Sequence, residues 1–284
     1  MKKKLLILRF LNQRVKIQKK MNKIQTILQK MRTEAYTPIH YFLSVGDDEL
    51  EINSLLNKEI QINFVDYQCL NCGLHKEIYR QGFCKKCFFE MPQAGDWIMR
   101  PELSKAHLGI EDRDLEYEIA VQIQPHILYL ANSSNVKVGV TRKSQIPTRW
   151  IDQGAHQALI MLEVPNRYLA GIAEITLKKY ISDKTNWRKM LTNQSEQIDL
   201  IKVKNELKNY LPEEVLPYFS ENNDIYSINY PVIQYPDKVN SLNLEKNPSY
   251  KGILKGIKGQ YLIFEDKTVF NIRGNEGFIV DILF

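Results

Sequence analysis

The sequence predicts an α+β fold, with small β-units at both ends, a cysteine knuckle after the first of them, and a central β-β-α-β-α domain. Three observations predict it. β-forming residues alternate or cluster between turn signals in residues 21–66 and again in 250–284. All four cysteines fall in one C-x2-C-x11-C-x2-C pattern, at Cys69, Cys72, Cys84 and Cys87. In residues 125–192, strand-like runs give way to helical periodicity, return, and give way again.

Composition narrows the class before any motif is read. Of 284 residues, 44% are apolar and 25% charged, ordinary values for a globular chain. No apolar run approaches 18 residues, so no membrane partner is expected. The net charge of +6 comes from residues 1–20, which hold eight Lys or Arg and no acid. Without them 31 basic residues face 33 acidic ones, a net of −2. Arg9 interrupts the leader's apolar run and no small-residue cleavage site follows, which argues against a secretory signal. Two readings of 1–20 remain. One is a basic amphipathic arm. The other, which the strand pattern beginning just after Met21 favours, is an extension upstream of the true start.

The first β-unit, 21–66, is read from IQTILQKM, IHYFLSV, LEI and EIQINFV, with GDD as a hairpin turn. The last, 250–284, looks like a second copy. YKGILKGI parallels IQTILQKM, GQYLIFEDKTVFNI parallels IHYFLSVGDDELEI, and GFIVDILF parallels KEIQINFV. Glu265 and Asp266 take the turn positions of Asp47 and Asp48. Three short strands are marginal alone, so the two ends are expected to pair or pack into one small barrel or sandwich. The competing explanation is that any two short meanders look alike. Residues 193–249 read as a charged helix, about 194–210, followed by Pro- and Asn-rich loop.

Residues 67–92 are the knuckle. Two C-x2-C turns close a tetrahedron of thiolates around one zinc ion, in a treble-clef or ribbon-like form. Gly73 and Gly82 suit the tight backbone beside the ligands. All four positions are filled, so the zinc is structural and its binding energy is also folding energy. Arg80, Lys85 and Lys86 interleave with Phe83, Phe88 and Phe89. This cluster reads either as a base-stacking surface or, with more weight, as the knuckle's own small core. The connector 93–124 is dense in His and acid, with His107 its most notable residue. It reads as a solvated loop held by Arg–carboxylate pairs rather than a second site.

In the central domain, HILYLANSS and VKVGVT form a hairpin, IPTRWIDQGA begins a helix after Pro147, ALIMLEVP is a third strand, and NRYLAGIAEITLKKYISD is a long amphipathic helix. LANSSNVKVGVTR, PTRWIDQGA and TNWRKML, preceded by the cysteine pairs, resemble the uncharacterised bacterial domain-of-unknown-function family 2797 over residues 21–284. More remotely, residues 125–192 are similar to the GIY-YIG endonuclease superfamily. That superfamily has the same element order, with a hairpin carrying two tyrosine motifs, an arginine on the first helix and a glutamate on a later one.

The resemblance implies a site residue by residue. Tyr129 falls in or beside the first motif, which places a tyrosine near the attacking water. Lys137-Val138-Gly139 matches the second motif with Lys where tyrosine is usual. Arg149 matches the arginine at the phosphate's developing charge. Glu174 matches the carboxylate that holds one Mg²⁺ or Mn²⁺. A short gap between the motifs leaves Leu128 as an alternative to Tyr129 in register. Lys137, Arg142, Lys143 and Arg167 are the expected nucleic-acid-binding cations, and His156, close to Arg149, is a further acid–base or binding group. Three functions compete: a divalent-metal-dependent nuclease, a non-catalytic RNA- or DNA-binding module, and a protein-interaction adaptor of unknown partner. The body's net of −2 favours the third. Paired cysteines and no secretory signal point to the cytoplasm.

Overall fold

The computed structural model describes residues 22–181 and 184–284, and the basic leader lies outside them. The class is α+β. Among the described residues no helix is long and apolar enough to cross a membrane.

The first block contains β1 (Lys23–Ile27), β2 (Arg32–Glu34), β3 (His40–Val45), β4 (Asp48–Glu51) and β5 (Glu59–Tyr67). Only β2, β3 and β4 form a three-stranded antiparallel sheet. The turn from β3 to β4 passes through Gly46, whose φ of 60° glycine adopts without steric cost. The knuckle follows, ending in α1 (Lys85–Glu90), and the connector holds α2 (Asp96–Met99) and α3 (Leu115–Gln122). The central unit is β6 (His126–Asn132), β7 (Val136–Arg142), α4 (Thr148–Asp152), β8 (Gln157–Val164) and α5 (Arg167–Leu177). Then come α6 (Trp187–Leu191), α7 (Leu200–Lys208), β9 (Tyr226–Ser227), β10 (Asn240–Ser241), β11 (Ser249–Lys258), β12 (Tyr261–Phe264), β13 (Thr268–Asn271) and β14 (Phe278–Leu283).

The strands of the two chain ends interleave in one seven-stranded sheet, ordered β1-β14-β5-β11-β12-β13-β10. β14 lies between β1 and β5, antiparallel to both, and β11 lines the other edge of β5. The pairing has a simple cause. β5 is nine residues long, and among its neighbours in sequence only short strands could partner it. Between β14 and β11 its backbone donors and acceptors are satisfied on both edges. The smaller sheet covers one face of the larger, so that Leu28, Met31, Tyr41 and Leu43 share a core with Ile60, Ile62, Phe270 and Ile282.

The central sheet runs β7-β6-β8-β9. All seven residues of β6 are buried, because the sheet is covered on both faces, which produces an apolar run without alternation. Ile127, Tyr129 and Ala131 join the core of the end sheets. Leu128 and Leu130 instead pack with Ala170, Ala173 and Leu177 of α5 and with Leu200 and Leu207 of α7. Helix α5 starts at Asn166, whose side chain accepts from the Leu169 N–H at 3.0 Å, a cap worth about 1 kcal/mol. Its buried positions Ala170, Ala173, Glu174 and Leu177 recur at helical spacing.

The two halves meet at α4. Asp152 accepts from Lys30 Nζ at 2.8 Å and from Gln260 Nε2 at 2.9 Å. Gly259, at φ 61°, lets the β11–β12 turn come close, since a Cβ there would lie 3.0 Å from the Asp152 carbonyl oxygen. Beside this joint, buried Lys258 meets His156 Nε2 at 2.8 Å and Asn193 Oδ1 at 3.3 Å, with the Tyr230 and Tyr235 rings 5.4 and 5.2 Å away. Burial pushes the Lys258 ammonium down to about 7.

Two outcomes test this packing. A Cβ at Gly171 would lie 2.3 Å from the backbone nitrogen of Glu102. Gly171→Ala is therefore expected to destabilise the protein by about 1–3 kcal/mol, read as a lower denaturation midpoint. An unchanged midpoint would refute the close contact between α5 and the connector. For Lys258 the unfolded value is near 10.4. The unfolded chain therefore binds more protons between about pH 7 and 10, and stability rises with pH across that window. The difference in unfolding free energy between wild type and Lys258→Met should climb from pH 7 to pH 10. A flat difference would mean that Lys258 is solvated.

Candidate functional site

The knuckle is built from two turns. Gly73 N–H donates to the Cys69 carbonyl at 2.9 Å and Cys69 N–H to the Leu74 carbonyl at 3.0 Å, with Gly73 at φ 68°. Cys84 is the N-cap of α1 and Cys87 lies in its first turn, so a helix start presents the second pair. The four ligand atoms lie within 4.8 Å of one another. A tetrahedron with metal–sulfur bonds of about 2.3 Å has edges near ~3.8 Å, so the set is close enough to hold one metal ion. Its electrostatics ask for a cation. Burial raises the Cys69 thiol, but the backbone N–H groups of Cys72, Cys84 and Asn71 outweigh it and hold the thiol at about 6. Cys87 moves to about 11, because burial and the neighbouring sulfurs outweigh the Asn71 amide. Four sulfurs this close cannot all ionise without positive charge between them.

A cleft of about 550 Å³ opens where the end sheets, knuckle, connector and central unit meet. Tyr129 forms its floor. The pairing of β6 with β8 slips by one residue there, with Met161 of β8 as the extra residue. Such bulges re-aim side chains. Tyr129 lies opposite Gly139 of β7, and a Cβ at Gly139 would fall 2.6 Å from the tyrosine hydroxyl. Glycine is therefore what lets the ring lie across the strand. Leu128 points the other way, into the helix-covered core. Burial raises the Tyr129 hydroxyl above its ordinary value, and the nearby Arg149 guanidinium and Gln153, whose Oε1 accepts from the hydroxyl at 3.4 Å, act in the opposite direction.

Arg149 reaches the cleft from the first turn of α4, and Glu174 reaches it from the buried face of α5. Glu174 pairs with Lys178 at 3.2 Å. Lys137 and Arg142 line the cleft from β7. Arg167 also lines it and latches the connector, donating to the carbonyls of Trp97 at 3.2 Å and Ile98 at 2.7 Å. Burial lowers the Arg167 guanidinium to about 10, leaving it charged at neutral pH. Tyr129, Lys137, Arg142, Arg149, Arg167 and Glu174 thus converge. Lys143 does not, since it points to Glu163 at 2.6 Å. His156 faces Lys258 instead of the cleft, and His107 stacks on Tyr168 with ring centroids 4.5 Å apart. Among the described residues, the four cysteines are the only metal-ligating cluster found.

Local sequence gave no signal for several lining residues. Lys30 and Arg273 arrive from opposite chain ends, Gln81 from the knuckle, and Trp97 and Tyr117 from the connector. Seven cationic side chains line the cleft against two carboxylates, Asp152 and Glu174, an excess of five. A body with a net of −2 therefore carries a local excess of positive charge in this concave place.

No curated protein and no solved structure matches this chain. One family does, over residues 57–280, a span narrower than the expected 21–284: it takes in the knuckle, the connector, the central unit and most of the seven-stranded sheet, and leaves out β1 to β4. The chain belongs to that family, described as Protein of unknown function (DUF2797).

Proposed function

We propose that the protein acts on nucleic acid as a divalent-metal-dependent phosphodiester nuclease of GIY-YIG type, with one structural zinc ion in the knuckle. The observation that carries this reading is the cleft's excess of five positive charges around Tyr129, Arg149 and Glu174. A polyanion is the ligand such a cleft attracts. Arg149, exposed at the cleft that Tyr129 also lines, stabilises charge developing on the phosphoryl oxygens. Tyr129, held protonated by its burial, orients the attacking water by hydrogen bonding rather than taking its proton. Glu174 would hold Mg²⁺ or Mn²⁺. One hard carboxylate completed by water and substrate phosphate fits such an ion, and Lys178 would yield its ion pair to it. When bound, the ion supplies a Lewis acid and an acidified water. Zinc suits four thiolates with no open position, and reduced thiolates suit the cytoplasm.

Two features favour a second reading. Lys178 already neutralises Glu174, and Lys137 stands where the resemblance to the GIY-YIG superfamily would put a tyrosine. Both fit a module that binds RNA or DNA without cutting it.

Cleavage of single- and double-stranded DNA and RNA, with Mg²⁺ or Mn²⁺, separates the two. Under the nuclease reading, Glu174→Ala and Arg149→Ala each lower the cleavage rate by about 10²-fold or more, and Glu174→Ala leaves binding nearly intact. Salt-sensitive binding without cutting would establish the second reading, and neither cutting nor binding would sink both. Elemental analysis should find one zinc per chain. Cys84→Ser should lose the metal and lower the melting temperature, whereas full stability without metal would refute the structural role.

A further inference from the structure

The knuckle's aromatic residues face two ways. Phe83 packs against Cys69, Cys84 and Cys87. Tyr79 and Phe89 face solvent, 43% and 55% exposed, with ring centroids 5.7 Å apart. The Arg80 guanidinium lies 5.3 Å from the Tyr79 ring centroid. Lys76, Arg80, Lys85 and Lys86 outnumber Glu77 and Glu90 along this segment. Paired exposed rings beside cations form a surface suited to stacking bases while holding their phosphates.

The platform adjoins the cleft. Gln81 lines the cleft, and Tyr79 is two residues before it, at most about 7 Å along the chain. That is about two base steps at ~3.4 Å each. The cleft itself, at about 550 Å³, has the size of a small-ligand pocket, roughly 300–1,000 Å³. It admits an unpaired nucleotide. Bases within a duplex are already paired and stacked on one another, so only unpaired bases offer a free face to Tyr79 and Phe89. A platform outside the cleft is of use only to a ligand longer than the cleft.

We propose that the ligand is a single strand of nucleic acid, with an unpaired nucleotide in the cleft and the adjoining bases stacked on Tyr79 and Phe89. This rests on the nucleic-acid function proposed above and names its substrate class. A metal ion held by the four cysteines would then have a second consequence: by fixing the turn that carries Tyr79, Arg80 and Gln81, it would align platform and cleft.

Fluorescence anisotropy with the metal-loaded full chain tests this. The probes are labelled single strands of about ten nucleotides, DNA and RNA, their duplexes, and a dinucleotide. The single strand is expected to bind at least about tenfold tighter than its duplex. Replacing both rings, Tyr79→Ala with Phe89→Ala, should weaken the longer strand by about 5- to 150-fold for each base unstacked. Dinucleotide binding should not change, and Phe89→Tyr should bind as wild type. Metal content and melting temperature are recorded for each variant. If the double variant does not fold, Phe89→Ser alone decides by the same criterion. Equal or tighter duplex binding overturns the inference. So does wild-type affinity in the ring variants when Arg149→Ala has lost the strand, a result that leaves the nucleic-acid function standing. No binding of any probe by wild type removes that function and the inference with it.

Discussion

The buried carboxylate of Asp152 holds the molecule's parts in register. Its side chain is 5% exposed and pairs with Lys30, while Gln260 donates to its other oxygen. A charge this deeply placed needs compensating partners, and these come from both ends of the chain. Asp152 closes α4, the helix that carries Arg149. The bond that docks the end sheets therefore also sets where Arg149 stands relative to Lys30, which lines the same cleft. Gly259 and Gly154 permit the approach, Gly259 beside the Asp152 carbonyl and Gly154 against Met190. The RWIDQGA segment is accordingly as much a joint as a site.

The same geometry resolves a tension in the charge. A body with 31 basic and 33 acidic residues offers a polyanion little attraction in sum. Attraction depends on local density, and concave walls of low dielectric concentrate it. Lys30–Asp152 and Lys178–Glu174 offset one another, and the remaining lining cations set the sign of the cleft. Arg167 shows how such a charge is kept in place. Backbone carbonyls of the connector accept its hydrogen bonds, so it stays charged while holding the Trp97–Ile98 segment of the connector against the cleft.

The sequence determined the α+β class, the four-cysteine cluster, and the strands and helices that present Tyr129, Arg149 and Glu174. Each is a local property. Cysteine spacing fixes a turn, β-formers between turn residues fix a strand, and helical periodicity puts Glu174 beside Ala170, Ala173 and Leu177. Choosing Tyr129 over Leu128 lay beyond local pattern, because both are apolar-run residues on a strand buried on both faces. A one-residue difference in register moves a side chain to the other face of a sheet, and Gly139 and the extra Met161 are what settle it.

Tertiary structure alone decided the rest. The order β1-β14-β5-β11 pairs strands from opposite chain ends, and no short-range pattern specifies which long strand lies beside which. The cleft's lining follows from that order, since Lys30 and Arg273 become neighbours only once the end sheets form. It also decided what other candidate residues do: Lys143 turns to Glu163, His156 to Lys258, and His107 to Tyr168. Residue type and spacing define which chemistry a chain carries. Which of those groups share a cavity depends on contacts distant in sequence, and those are set by the burial of whole faces rather than by any neighbouring residue.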